Sequence, residues 1–158
     1  MQNLITAAPA SIELAQAPIP PEWIIAGAPV ACLSELGKSR DGTAVLFVWE
    51  CTPGEFHWHY NEDETVVFHS GEVFIRSEGN DERRLSAGDL AYFRAGSSYI
   101  WRVTQTVRKV AVVRRALPDW LALSFKVWDK LCLLTGLSKP APLSASNGGK
   151  AEETSTSS

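Results

Sequence analysis

Hydrophobic and polar residues alternate in short runs along the middle of this chain, which is the pattern of half-buried β-strands. Turn-forming residues such as RDG, Ser70-Gly71 and EGND separate many of these runs. Between residues 43 and 115 the runs are TAVLFVWE, FHWHY, ETVVFH, EVFIRS, DLAYFR, YIWRVT and RKVAVVRR. Short strands at close, even spacing predict an all-β sandwich or barrel, which we assign to residues 23–117.

One helix is predicted after the strands, over residues 118–136. Pro118 and Asp119 are start signals, and Gly136 is a stop signal. Apolar residues cover most of its circumference, so we expect it to be buried against the barrel or against a second subunit. A homodimer is therefore predicted.

The two ends of the chain lack a periodic apolar pattern. Residues 1–22 contain three prolines near their end and are expected to form a flexible, extended arm. Residues 137–158 are rich in Ser, Pro, Gly and charge, so we expect a disordered tail.

Composition narrows the class of protein. The 158 residues are 45% hydrophobic and 21% charged, which suits one globular domain. A net charge of −3 argues against a nucleic-acid partner, and no apolar run reaches the roughly 18 residues of a membrane span. The start of the chain does not have the pattern of a secretory signal, and three cysteines without paired spacing favour reduced thiols. We therefore expect a cytoplasmic protein with neither nucleic acid nor membrane as partner.

All three histidines of the chain lie between residues 57 and 69. Residues two apart on a strand share a face, so His57 and His59 are expected side by side, with Glu64 at the head of the next strand. Two imidazoles and one carboxylate suit Fe, Mn, Ni or Zn. The alternative is a polar strand pair without a metal ion, in which Glu64 pairs with an arginine such as Arg76 or Arg102.

The same residues resemble a known family. HWHYNEDETVVFHSG is similar to the first motif of the cupins: His57, one residue, His59, four residues, Glu64, six residues and Gly71. GDLAYFRAGSSYIW resembles their second motif, with Tyr99 where a ligand histidine is usual. The wider sequence looks most like the small cupins of the (S)-ureidoglycine aminohydrolase and ethanolamine-utilisation type.

This resemblance implies a cupin-type jelly-roll barrel with one C-terminal helix. It also implies a divalent metal (Mn, Fe, Ni or Zn) on His57, His59 and Glu64, with Tyr99 as a weak catalytic candidate or phenolate ligand. The implied function is a metal-dependent small-molecule enzyme acting on a ureido or amino compound. The alternative is a metal-free ligand-binding or sensor cupin without catalysis.

Three further residues have two interpretations each. Tyr92 and Trp101 either line the cavity or belong to the core, as aromatic residues of alternating strands usually do. Strand parity from Glu64 sends His69 outward, so a surface position is expected for it.

Overall fold

The structure, a computed structural model, describes residues 4–115, which contain β-strands and two short 3-10 turns but no α-helix. The turns are Pro9–Ser11 and Pro21–Trp23; the strands are β1 (Ala15–Gln16), β2 (Ile24–Gly27), β3 (Ala31–Lys38), β4 (Ala44–Cys51), β5 (Gly54–His59), β6 (Asp63–Arg76), β7 (Arg83–Ser86), β8 (Leu90–Phe93) and β9 (Ser98–Arg114). The all-β prediction is confirmed. The predicted helix at residues 118–136 and the predicted tail at 137–158 lie outside the described residues. Within residues 4–115, no helix is long and apolar enough to cross a membrane.

Strand β9 holds the two halves of the fold together. Its first half pairs antiparallel with β5, its second half pairs with β4, and β6 pairs with it along most of its other side. The sheet therefore branches into one half ordered β1-β3-β4-β9-β6-β8 and another ordered β2-β5-β9-β6-β7. The two halves curl toward each other, as the jelly-roll expectation requires.

The bend between the halves lies at Gly71. We expected a turn there, separating two strands, and that prediction is wrong: β6 runs through Ser70 and Gly71 with successive register shifts against β9. Gly71 has φ of 82°, and a Cβ at this position would collide with the carbonyl oxygen of Thr106. A glycine bulge therefore bends the strand instead of ending it.

Aromatic rings from both halves fill the core. Trp101 lies at its centre, with ring centroids 5.7 Å from Trp49, 6.3 Å from Phe56, 6.1 Å from Phe68 and 5.9 Å from Phe93. The contact with Trp49 is edge-to-face, those with Phe68 and Phe93 are tilted, and that with Phe56 is stacked; such contacts stabilise aromatic clusters beyond the area that they bury. These contacts join the two halves of the sheet.

The N-terminal arm, expected to be flexible, is anchored at several points. Arg108 donates from Nη1 to the carbonyl of Ala10 at 3.0 Å and from Nη2 to the carbonyl of Ile12 at 2.6 Å. Strand β1 then pairs with β3. Ile19 is buried in the core. The arm therefore packs along the barrel before it reaches β2.

Candidate functional site

Strand β5 presents aromatic residues, not histidines, to the inside of the barrel. Phe56 is buried and Trp58 packs partly buried against the core, while His57 and His59 are exposed. Tyr60, directly after the strand, is also buried. The expectation that both histidines face inward is therefore wrong, because the larger apolar side chains take the buried face.

Glu64 does face inward, and its partner is a lysine. Lys109 Nζ donates to Glu64 Oε1 at 2.6 Å, and the two residues are 2% and 6% exposed. Neither Arg76 nor Arg102 is the partner, since Arg76 binds Glu55 and Arg102 binds Glu82. A buried carboxylate is costly unless a cation meets it, and Lys109 supplies that cation.

Two tryptophans hold the ammonium from the sides. Lys109 Nζ lies 4.8 Å from the ring centroid of Trp49 and 4.7 Å from that of Trp101. Both distances are within the roughly 6 Å range of cation–π attraction. The lysine charge is thus compensated by one carboxylate and by two ring faces.

The ion pair forms the polar part of a pocket of about 280 Å³. Apolar and aromatic residues make up the remaining wall: Ala17, Pro18, Leu33, Phe47, Trp49 and Trp58. An apolar pocket with a few converging polar groups is the usual form of a small-molecule site. Its volume limits the occupant to a compact molecule.

Two further donors lie buried close to this pair. Tyr60 Oη and Trp101 Nε1 have no hydrogen-bond partner within the described part of the chain. Burial, together with the charge of Glu64, raises the pKa of Tyr60 well above its usual value, so its hydroxyl stays protonated. Unpaired donors in a buried position are uncommon, and neither of these two residues lines the 280 Å³ pocket.

The interior does not fit the divalent metal that the resemblance implied. Glu64 already binds an ammonium, and the β5 side chains that face inward are aromatic. Tyr60 is a poor ligand as well, because its raised pKa disfavours the phenolate. Among residues 4–115, no group of three or more His, Cys, Asp and Glu side chains could hold a metal ion.

The remaining candidate residues lie in different places. Tyr99 packs against Tyr60 and Phe93 and does not line the 280 Å³ pocket. Tyr92 is 57% exposed and borders a separate outer cleft, so it does not line the barrel interior. Trp101 is a core residue whose ring faces Lys109.

Sequence reasoning missed Lys109, although the pattern of the strand that contains it predicts an inward side chain. It lies between Val107 and Ala111, both buried on the same face of β9, so strand parity alone points it inward. A lysine on a buried face needs an acid, and Glu64 is the acid that β6 buries. The outward position expected for His69 agrees with its exposure.

Comparisons with known proteins agree with this architecture. Residues 38–111 match the model of the EutQ-like cupin domain. No match was found among curated proteins.

Several solved structures share the fold. A DUF861-family protein from Pseudomonas syringae is 24% identical at a TM-score of 0.60, over 65% of this chain and 45% of that one. The Clostridium difficile EutQ protein is 22% identical at a TM-score of 0.50, over 56% and 71%. A cupin-like protein from Thermotoga maritima is 12% identical at a TM-score of 0.54, over 67% and 81%. At these identities they show the fold alone. The jelly-roll halves agree with the match over residues 38–111, so this part of the chain is similar to a cupin domain of the EutQ-like type.

Proposed function

We propose that this cupin domain binds a small organic molecule in the pocket beside the Glu64–Lys109 pair, without a metal ion in the barrel. The observation that carries this proposal is the buried ion pair, since it provides one charged donor group and one charged acceptor group at the wall of an aromatic pocket. In this interpretation the ammonium of Lys109 is the cation of the site.

Charge balance indicates the class of ligand. The pair is neutral as a whole and both of its side chains are buried, so a charged ligand in contact with it would leave an uncompensated charge beside buried groups. A neutral group that both donates and accepts hydrogen bonds, such as an amide or a ureido group, meets Lys109 and Glu64 at a lower cost. The tryptophans then contact the apolar part of the molecule.

An aminohydrolase-like reaction with a metal on His57, His59 and Glu64 is the function that the resemblance implied. The exposure of both histidines separates them from Glu64, so binding without a barrel metal is the better-supported proposal. Free thiols at Cys32 and Cys51 support a cytoplasmic location.

The test uses untagged, chelator-treated protein and measures binding by calorimetry and thermal shift. The probes are propionamide and N-ethylurea, with propionate and propylamine as charged comparators of similar size. We expect the neutral probes to bind and to protect against heating, with no change when EDTA is present.

Variants separate the pocket from the outer histidines. Lys109→Met and Glu64→Gln should abolish the binding of the neutral probes, and the double variant Glu64→Leu/Lys109→Met provides a second test in which no unpaired charge is left. His57→Gln and His59→Gln should bind as the wild type does. Binding that requires added metal and is lost in the histidine variants would support the metal-dependent function instead. Failure of both neutral probes would contradict the assigned ligand class.

A further inference from the structure

The pocket beside the Glu64–Lys109 pair has an amine in its wall. Lys109 lines this pocket of about 280 Å³ although the residue is only 2% exposed, so the pocket is the route by which a small molecule reaches its side chain. Most of the other wall residues are apolar or aromatic. Desolvation in an apolar pocket is one way in which proteins activate a lysine amine for attack on carbonyl groups.

The second lysine of the described residues provides a contrast. Lys38 also pairs with a glutamate, since its Nζ lies 3.3 Å from Glu35 Oε2, but the side chains of this pair are 57% and 47% exposed. Water therefore solvates the Lys38 ammonium, whereas the Lys109 ammonium depends on its protein neighbours. The two lysines share a partner of the same type and differ in burial.

Glu64 is in the right position to take a proton from Lys109. An ammonium has no lone pair and cannot attack a carbonyl carbon until it loses a proton. Lys109 Nζ donates to Glu64 Oε1 at 2.6 Å, which is within the reach required of a general base. Transfer of one proton along this bond leaves an amine beside a carboxylic acid. Both groups are then neutral, and a neutral group is less costly to bury than an ion.

The surroundings of Lys109 Nζ also suit the product of such an attack. An iminium keeps the positive charge on this nitrogen, so it retains the attraction of the Glu64 carboxylate. It also retains the ring faces of Trp49 and Trp101, whose centroids lie 4.8 Å and 4.7 Å from Nζ. The aromatic wall limits the access of the water that would hydrolyse the iminium.

We propose that Lys109 forms a Schiff base with a compact aldehyde or ketone in this pocket, and that Glu64 moves the proton. Glu64 takes one proton from the ammonium, and the lone pair of Nζ attacks the carbonyl carbon, whose π electrons pass to the oxygen. A second hydrogen of Nζ moves to that oxygen and gives a carbinolamine. Glu64 then protonates the hydroxyl group, which leaves as water while the nitrogen lone pair forms the C=N bond. The carboxylate is restored, and no oxidant or reductant is consumed.

This proposal rests on the proposed function, because the carbonyl compound occupies the pocket assigned there to neutral ligands. An aldehyde or ketone carries no charge and accepts hydrogen bonds, so it meets the ion pair as an amide does. The covalent step is additional. An amide or a urea does not take it, because its nitrogen lone pair makes the carbonyl carbon much less electrophilic.

Reductive trapping with propanal and sodium cyanoborohydride tests the step on the full, untagged chain. Cyanoborohydride reduces an iminium to a stable secondary amine, and peptide mass mapping locates the added propyl group. We expect Lys109 to be labelled at least about tenfold faster than Lys38, because its amine is activated and its iminium is protected from water. Labelling of Lys38 with Lys109 unmodified overturns the proposal. This comparison uses the wild type alone, so it does not depend on the folding of any variant.

Variants test the roles of the two residues. Lys109→Arg keeps a cation beside Glu64 but offers no amine for attack, so the rapid phase of labelling should disappear. Lys38→Arg is the matched control and should keep that phase. Glu64→Gln cannot accept the proton and should slow the labelling of Lys109 at least about tenfold, whereas Glu64→Asp, which keeps a carboxylate, should retain part of the rate. Equal rates in folded Glu64→Gln and in the wild type would overturn the mechanism.

Propionamide separates this proposal from the proposed function. If propionamide binds and slows the labelling of Lys109 but not that of Lys38, both proposals are supported. If propionamide binds and Lys109 is not labelled, the Schiff base is wrong and the proposed function stands. If Lys109 is labelled rapidly and propionamide and N-ethylurea do not bind, the Schiff base is supported and the ligand class of the proposed function is wrong.

Discussion

Glu64 and Lys109 are 45 residues apart in sequence, and their side chains meet at 2.6 Å inside the barrel. They are not direct cross-strand partners, since Lys109 lies opposite Phe68 and Glu64 lies opposite Val113 in the β6–β9 ladder. The contact therefore depends on two long side chains that extend toward each other within the aromatic core. An opposed charge pair of this kind makes the centre of the barrel sensitive to the loss of either partner.

We expect Glu64→Gln or Lys109→Met to lower the free energy of unfolding by about 3–5 kcal/mol, because each leaves a buried charge unpaired. The double variant Glu64→Leu/Lys109→Met should lose much less than the sum of the two single changes. Urea denaturation measures all three. The control is Arg84→Met. The Arg84 side chain is 62% exposed and pairs with Glu72, so its loss should lower the free energy of unfolding far less. If breaking the surface pair lowered the free energy of unfolding as much as breaking the buried pair, burial of the Glu64–Lys109 pair would not be the cause of the loss.

The alternation along β5 gives a second prediction. Trp58→Ala should lower the free energy of unfolding by about 2–4 kcal/mol, since it removes a large ring that packs against the core. His57→Ala, one residue away, should change it by less than about 0.5 kcal/mol because that side chain is exposed. Denaturation of the two variants under the same conditions provides the comparison. If His57→Ala lowered the free energy of unfolding more than Trp58→Ala does, the buried face of β5 would be the one that carries the histidines.

The sequence predicted most of the architecture but not the orientation of β5. The strand pattern, the inward face of Glu64 and the outward face of His69 were all available from period-two alternation. On β5 the prediction was anchored on the two histidines, whereas Phe56 and Trp58 form the stronger pattern because they bury more apolar area. A shift of one residue exchanges the two faces of a strand, so the motif spacing alone could not decide between them.

Other features depend on tertiary contacts that no local pattern contains. Gly71 was interpreted as a turn, because a glycine in a turn and a glycine in a bulge have the same local signal. Its role as a bulge follows from the close approach of Thr106, which lies on another strand. The Glu64–Lys109 contact likewise needs the register of two distant strands.

Gly71→Ala should lower the free energy of unfolding by more than about 2 kcal/mol, from backbone strain at positive φ together with the collision with Thr106. Gly79→Ala is the matched control. Its φ of 78° is similar to that of Gly71, and a Cβ there meets no atom within 4 Å. Thermal denaturation of both variants separates the strain from the collision. Similar losses in both would show that crowding at Gly71 adds nothing.

Cys51 should resist alkylation in the folded protein. Burial raises the pKa of its thiol to about 12, so at pH 8 only about one thiol in ten thousand is ionised. Mass spectrometry after iodoacetamide treatment should find Cys51 unmodified in buffer and modified in urea. The urea sample is the control, because it shows that the thiol reacts once the chain is unfolded. Rapid labelling of Cys51 in the native protein would contradict its buried position.

A homodimer remains a prediction from the sequence. The segment at residues 118–136, outside the described residues, carries more apolar side chains than a single helix–sheet contact would cover. Replacing Trp128 with Asp should lower the mass measured by light scattering or cause aggregation. The replacement Ser124→Asp, at one of its polar positions, is the control and should leave the mass unchanged. Wild-type protein that stays monomeric at high micromolar concentration would refute the dimer.

The anchored N-terminal arm has a practical consequence for how this domain is produced. Ala17 and Pro18 form part of the pocket wall, and Ile19 lies in the core, yet all three precede the matched region at residues 38–111. A protein trimmed to residues 38–111 would lose one side of the pocket and the segment held by Arg108. The smallest piece suitable for ligand screening is therefore longer than residues 38–111. An affinity tag fused close to residue 10 would lie next to the anchored segment.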